Sequence, residues 1–576
     1  MLLQQQLGQR LLLVTALLLA QRCADAAPLQ PHIVTIVLDD WGWANWGHHA
    51  RLVKNQQLQK EVQTPYMDSL AQNGIVLDRL YVHNVCSPSR SAFLTGRNPR
   101  HVNLINRPSD MYDPSLSLDG IWGVPAQMTG IAEKLKSAGY ATQHVGKWHL
   151  GYASDHQMPS ARGYDHFFGY LGGGNDHWTY KINKLSKGSC GRSSLDLWHD
   201  AAPAADKVPP HACSYASQDG CTYEDALFER QVTGAIDRHA ESNATQPLFL
   251  SWAPHAVHAP LQPIAAQEAK FDFIDFPARR KYAAVLNDMD RRVGRVVSTL
   301  KRNGMWDDTL LVVMADNGGP SLNEGGANNY PLRGEKGFNT DGGVRANAFI
   351  AGGFVPQAQR GSVAEGLIGV EDFYATFCTL AGVTPGDKKA AAAGLPPVDS
   401  LDMWPYLSGA VEASPRDLVV VSDGHRPQAV IDRLGYKLIV GETSSRVFQQ
   451  IEPVAASLKQ VRLSAGQTWQ QVLRCGSQYP PYTGACLFNV FEDPSESNNI
   501  AHAHPEVIKR LAKSLDEAQR DTLQRQYGAE PTAPLKSPAC LVSEREWGGF
   551  EGPWIEYKNS TNPGNTQDAR PSLLGL

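Results

Sequence analysis

Long apolar runs and surplus positive charge are both scarce in this 576-residue chain, and each shortage narrows what it can be. The apolar run near the start, Leu11 to Ala20, falls well short of the ~20 residues that a membrane-spanning helix needs. No later segment qualifies, and the end of the chain lacks the hydrophobic tail of a lipid-anchor signal, so no membrane span is expected. Lys and Arg number 53 against 58 Asp and Glu, a formal net charge of -5. Such a chain has no spare field for a phosphate backbone, which excludes nucleic acid as an expected partner. Cysteine is sparse as well, with nine residues.

The early apolar run has a meaning of its own. Arg10 precedes it and Ala24-Asp25-Ala26 follows it, the small-x-small pattern of a signal-peptidase site, so residues 1–26 read as a secretory signal. The expected route crosses an oxidising compartment and ends in secretion, in a cell wall or periplasmic space, or in a lysosome or vacuole. Asn243-Ala244-Thr245 and Asn559-Ser560-Thr561 are glycosylation sequons for a eukaryotic host. Cys23 falls within the signal, and Cys378 lies near the apolar face of a helical pattern, where a buried thiol is expected. With Cys86 set aside, six cysteines remain for disulfides, and the short loops Cys213–Cys221 and Cys475–Cys486 are the expected pairs.

Short apolar runs alternate with helical patterns, which predicts an α/β protein with a mainly parallel sheet covered on both faces. Ile33–Leu38, Thr309–Met314 and Pro247–Trp252 are almost wholly apolar without alternation, as strands buried on both faces should be. Ala141–Val145 is a shorter fourth. Helical spacing follows Thr64-Pro65, runs from Gln127 to Ser137, and runs from Arg280 to Asn303 with Gly304 as its stop. The four strands end in Asp39-Asp40, Asp316-Asn317, His255 with His258, and Lys147 with His149. Ligands of open parallel sheets bind at the carboxyl ends of strands, so these endings describe one site. Asp39, Asp40, Asp316 and Asn317 together offer three carboxylates and an amide oxygen, which would repel without a cation and suit Ca²⁺, ahead of Mg²⁺, rather than zinc.

The most specific signal is Cys86-Ser87-Pro88-Ser89-Arg90, followed by Leu94-Thr95-Gly96-Arg97. It resembles the signature of the formylglycine-dependent sulfatases, and Gly146-Lys147-Trp148-His149-Leu150-Gly151 resembles that family's second signature. The resemblance covers roughly Pro31 to Ile500 and is nearest to the arylsulfatase B-like group, which includes the N-acetylgalactosamine-4-sulfatases. Ala256-Val257-His258-Ala259-Pro260-Leu261-Gln262 resembles the segment carrying the active-site histidine, and Pro331 to Gly337 the one carrying a second lysine, Lys336. Cys486 to Glu496 resembles the strand and turn that open the family's C-terminal segment. Residues beyond about Glu530 match nothing in it, and Trp547 and Trp554 there are expected to pack on the catalytic domain.

What the resemblance implies is definite. The fold is alkaline-phosphatase-like, a large mixed, mainly parallel sheet between helices, with a smaller C-terminal α+β subdomain. The expected division is a catalytic domain over 27–415, a subdomain with a small antiparallel sheet over 416–530, and an extension over 531–576. Cys86 is oxidised to formylglycine by a generating enzyme during biosynthesis, and position 86 joins Asp39, Asp40, Asp316 and Asn317 around the metal. Arg90, Lys147 and Lys336 hold the sulfate, His258 protonates the departing alcohol, with His255 three residues earlier as the alternative, and His149 takes a proton as sulfate leaves. The activity implied is hydrolysis of sulfate esters of aryl alcohols or sugars, with pocket-wall candidates in Gly172 to Tyr180. The alternatives are a phosphatase or phosphodiesterase of the same superfamily, disfavoured by the cysteine signature, and a non-catalytic protein that binds sulfated glycans.

Overall fold

The computed structural model describes residues 30–555 apart from 54, 107–110, 114, 117–119, 183–189, 191–193, 211, 243–244, 322–324, 426, 441–484 and 529–536. The expected signal segment and both sequons lie outside the described residues in whole or in part.

Ten strands form the central sheet, and its middle is made of the four strands legible in the sequence. Thr309–Ala315, His32–Leu38, Leu248–Ala253 and Ala141–Lys147 lie side by side in that order, all parallel. His32–Leu38 is buried along its whole length, as its almost wholly apolar sequence requires. Parallel pairing also fixes where the chemistry emerges. Leu38 pairs with Ala315, so the next residues, Asp39 and Asp316, leave the sheet together. The outer strands Ala348–Ala351, Trp198–His199 and Ala202–Pro203 run antiparallel to their neighbours, giving a mixed, mainly parallel sheet.

Helices cover both faces. Pro277–Arg302 begins three residues before the apolar spacing suggests because Pro277 opens it at the first helical position, and Asn303 closes it ahead of Gly304. The helix expected from Gln127 starts later, at Ile131, because the Glu133 carboxylate accepts the Gly130 N–H at 2.6 Å and sets the first turn there. Between residues 383 and 398 lies one short helix, Lys388–Ala392. Its alanines favour helix, and Asp387 caps it by accepting the Ala390 N–H at 3.1 Å.

Leu418–Ser422, Pro427–Asp432, Tyr436–Val440 and Ala485–Asn489 form a separate four-stranded antiparallel sheet. The expected opening strand of this segment, at Cys486, is the last of the four. The Pro505–Arg520 helix covers one face through Ile508, Leu511 and Leu515, while Val419, Ile431 and Phe488 on the other face meet Tyr81 and Val344 of the catalytic body. Lys437 crosses that second contact. Its fully buried ammonium pairs with Asp341 at 2.8 Å and Glu496 at 3.1 Å, and the other Glu496 oxygen accepts the Asp341 N–H at 2.6 Å.

The tail is bound to the catalytic body. Cys540, in the Pro538–Glu546 helix, is disulfide-bonded to Cys190, and the Glu551 carboxylate accepts the Tyr152 hydroxyl at 2.7 Å. Trp554 packs edge-on against Tyr112 and Trp547 against Trp198, so both tryptophans pack as expected. Cys213 and Cys221 are bonded as expected, and Cys378 is a buried free thiol. Cys486 is disulfide-bonded, while Cys475 lies outside the described residues. The Cys190–Cys540 link spans a sequence separation of 350, so its loss releases much unfolded-chain entropy. Cys540→Ser is expected to cost about 2–5 kcal/mol, read as a lower midpoint in thermal denaturation. No helix among the described residues is long and apolar enough to cross a membrane.

Candidate active site

Cys86 is the first residue of the Cys86–Thr95 helix, whose free N-terminal N–H groups favour negative charge in front of it. Ser89 holds the approach to this turn by accepting the His83 N–H at 2.9 Å, and Gly96 (φ 65°) ends the helix. The Cys86 thiol donates to Asp39 Oδ1 at 3.6 Å. Asp39 also receives the fully buried Lys147 ammonium at 2.6 Å. Arg90, one turn along the same helix, places its guanidinium 3.5 Å from Asp39 and 2.8 Å from Asp316. Lys336 reaches Asp40 Oδ1 at 2.7 Å, and Asn317 Nδ2 donates to the same oxygen at 2.7 Å. His258 Nε2 stands 3.7 Å from Asp40 Oδ2.

Lys147 arrives by a close approach that only glycine permits. Gly146 has φ 103°, and a Cβ there would sit 1.9 Å from the Ala253 carbonyl oxygen of the neighbouring strand. His149 follows at φ 54°, buried, with its ring 5.7 Å from that of Trp122. The structure therefore gathers Asp39, Asp40, Cys86, Arg90, Lys147, His258, Asp316, Asn317 and Lys336 by direct contacts. His149 stands on the same rim.

Burial sets the electrostatics. It would raise Asp39, but Lys147, His258, Arg90 and Lys336 together hold that carboxyl well below its usual range. Asp40 is pushed up to about 6, by burial first, with Asp39 and Asp316 adding to it against Lys336. Asp316 is raised by burial and by Asp39. Burial and then Asp39 push the Cys86 thiol up to about 12, so it stays protonated near neutral pH. His149 and His258 are both driven well below 6.5, chiefly by burial, and their rings are neutral.

The donor set fits a divalent cation. Asn317 Oδ1 is buried without a hydrogen-bond partner, although its amide nitrogen has two. Such an orphaned acceptor costs about 1–3 kcal/mol and is satisfied by a hard ion. Ligand atoms of Asp39, Asp40, Cys86 and His258 all lie within 4.8 Å of one another.

Of the two histidines in His255-Ala256-Val257-His258, only His258 turns to these acids. His255 is fully buried, with Nδ1 2.8 Å from Glu224 Oε2 and its ring stacked on His177 at 3.8 Å. Trp178, one of the pocket-wall candidates, is buried and donates from Nε1 to the Gln262 carbonyl at 3.3 Å. Glu224, Asp225 and Glu335 also stand beside these residues, outside the candidates marked by the sequence. The first two had a signal, an acidic pair opening a long helical run. Glu335, which accepts the Ser321 hydroxyl at 3.0 Å beside Lys336, had none.

The chain is similar to known proteins over most of its length. Over 570 residues the chain is 29% identical to arylsulfatase J of Mus musculus, covering 94% of this chain and 83% of that protein. It is 29% identical over 408 residues to the N-acetylgalactosamine-6-sulfatase of Canis lupus familiaris, covering 70% of each. It is 27% identical over 546 residues to arylsulfatase A of Homo sapiens, covering 92% of this chain and 95% of that protein. Among solved structures, Ps i-CgsB in complex with k-i-k-neocarrahexaose matches with a TM-score of 0.65 at 24% identity, over 90% of this chain and 99% of that one. The phosphonate monoester hydrolase SpPMH from Silicibacter pomeroyi matches with a TM-score of 0.51 at 17% identity, over 86% and 96%. The shared fold is the alkaline-phosphatase-like one. The family model described as Sulfatase matches residues 31–383, more than half of the chain, and the protein belongs to the sulfatase family.

Proposed function

We propose that this sulfuric ester hydrolase is Ca²⁺-dependent and acts on sulfated saccharides, taking small aryl sulfates as artificial substrates. One observation carries the reading: Cys86 meets Asp39 at a helix N-terminus ringed by Lys147, Arg90 and Lys336. A formylglycine made from Cys86, beside a bound divalent cation, would supply the hydroxyl nucleophile that a thiol pushed up to about 12 does not. Asp39, Asp40, Asp316, Asn317 and position 86 would hold that cation, and their oxygen donors favour Ca²⁺. The saccharide preference is supported by the N-acetylgalactosamine-6-sulfatase relatives.

The remaining steps belong to side chains on the page. Lys147, Arg90 and Lys336 stabilise charge on the sulfuryl oxygens as the sulfur–oxygen bond breaks, the main demand of this kind of transfer. His258 gives a proton to the departing alcohol oxygen. Its ring is neutral at rest, and the negative charge of an arriving sulfate favours its protonation. His149, also neutral, is the base that takes a proton when sulfate departs. The disulfides support passage through an oxidising compartment, where a formylglycine-generating enzyme would act on Cys86 before export or delivery to a lysosome, vacuole or periplasmic space.

Two measurements test this. Turnover of a sulfate ester is expected to exceed that of the matching phosphate ester by at least ~100-fold, since the site is built for one anion. The reverse preference would replace the reading with a phosphatase one. The tryptic peptide Leu80–Arg90, from a competent host, is expected at the mass of the aldehyde or its hydrate. A thiol there removes the proposed nucleophile.

A further inference from the structure

The His255–His258 segment is gripped from two sides. On the sheet side, Val257 N–H donates to the Asp39 carbonyl at 2.9 Å and Asp39 N–H to the Ala256 carbonyl at 3.2 Å. On the far side stands the first turn of the Glu224–Ser242 helix. One Asp225 oxygen accepts the His255 N–H at 2.9 Å and the other accepts the Ala256 N–H at 3.1 Å. Glu224, one residue earlier, meets His255 Nδ1 at 2.8 Å and accepts from Asn175 Nδ2 at 2.7 Å. Both acids are buried, at 0% and 1% exposure, too deep to serve as a solvated helix start. Glu224, His255 and His177 also have donor atoms within 4.8 Å of one another. The two imidazoles are stacked with only 16° between their planes, however, so no single ion lies in both ring planes. The cluster is a bracket and not a second metal centre.

The bracket acts on His258. That residue donates its backbone N–H to the His255 carbonyl at 3.0 Å, and its Nδ1 donates to the Ala259 carbonyl at 2.7 Å, which leaves Nε2 facing the acids. We infer that Asp225, seconded by Glu224, is a positioning residue that fixes where His258 Nε2 meets the leaving group of the sulfate ester. Asp225 touches no reacting atom. It holds two consecutive amides of the segment with one rigid carboxylate, and a neutral amide in its place satisfies only one of them.

This rests on His258 as the donor to the departing alcohol, and the experiment separates the two claims. Wild type, Asp225→Asn, Asp225→Ala and His258→Ala are assayed with Ca²⁺ on aryl and alkyl sulfates of rising leaving-group pKa. A good phenolate leaves without help, whereas an alkoxide needs the proton. Asp225→Asn is expected to lower kcat roughly 10²-fold on the poorest leaving groups, the scale of an ångström-sized misplacement, while nitrophenyl sulfate and KM change little. Asp225→Ala lies further along the same trend, and His258→Ala shows the steepest one. A merely structural role lowers turnover of every substrate equally through the folded fraction, and that flat profile overturns the inference. Should His258→Ala itself be flat, the donor assignment falls and this inference with it. Should His258→Ala tilt while both Asp225 variants track wild type, the positioning role alone falls.

Discussion

Cys86→Ser is expected to leave an enzyme that reacts once and stops. Serine at position 86 keeps the place at the helix N-terminus but carries a single hydroxyl. Its Oγ can form a bond to sulfur while the bond to the alcohol breaks, with the proton passing to the departing oxygen. Nothing at residue 86 can then expel the sulfate, and release waits for water to reach an ester at a site only 2% exposed. Steady turnover is expected to fall by ~10⁴-fold or more, the order lost when a covalent nucleophile is disabled. Intact-mass measurement after exposure to substrate should show a gain of one sulfuryl group. Steady turnover by this variant, without that gain, would overturn the proposal that the hydrated aldehyde of formylglycine, through its second hydroxyl, releases the sulfate.

Removing the cation is expected to cost both activity and stability, with a definite pH signature. Asp40 is pushed up to about 6 and Asp316 is raised, each by burial first. A carboxyl raised above its unfolded value of 3.8 supports the fold fully below that pH and loses its contribution as pH climbs through the folded value. The cation-free protein should therefore lose stability as pH rises from 3.8 through about 6. Asp39 is shifted the other way, and its window lies below 3.8. A bound ion removes the penalty at neutral pH, and Ca²⁺ at ~100 times its Kd adds about 2.7 kcal/mol. Thermal denaturation with and without chelator should show a larger gap at pH 7 than at pH 5, and Ca²⁺ should restore activity better than Zn²⁺. A gap that is absent at pH 7, or larger at pH 5, contradicts the assignment of these acids as the metal shell.

The parts of this site that could be read from sequence share a physical reason. Strands buried on both faces lose their polar alternation, so His32–Leu38 and Thr309–Ala315 announced themselves, and parallel pairing then brought Asp39 beside Asp316. The Cys86 and Lys147 motifs are local, and their contacts lie on the first turns and strand ends that carry them. What remained hidden depends on distant partners. His255 and His258 are equivalent on paper, and Glu224, Asp225 and His177 decide between them only once the chain has folded. Nothing near Lys437 in sequence marks it as buried, because Asp341 and Glu496, which enclose it, come from distant parts of the chain. The pairing of Cys190 with Cys540 has no local signature at all.

The burial of Cys86 also imposes a timetable. The thiol is 2% exposed, its helix is buried throughout, and Asp39, which it meets, follows His32–Leu38 where that strand pairs with Thr309–Ala315. An enzyme that alters Cys86 must therefore reach it while that helix is still an unfolded segment, before Thr309–Ala315 closes the sheet. Cys540 stands far downstream of Thr309–Ala315 in the sequence, so the Cys190–Cys540 bond forms later on a chain that emerges N-terminus first. On the proposed formylglycine chemistry, modification competes with folding, and slower closure of the sheet raises the active fraction.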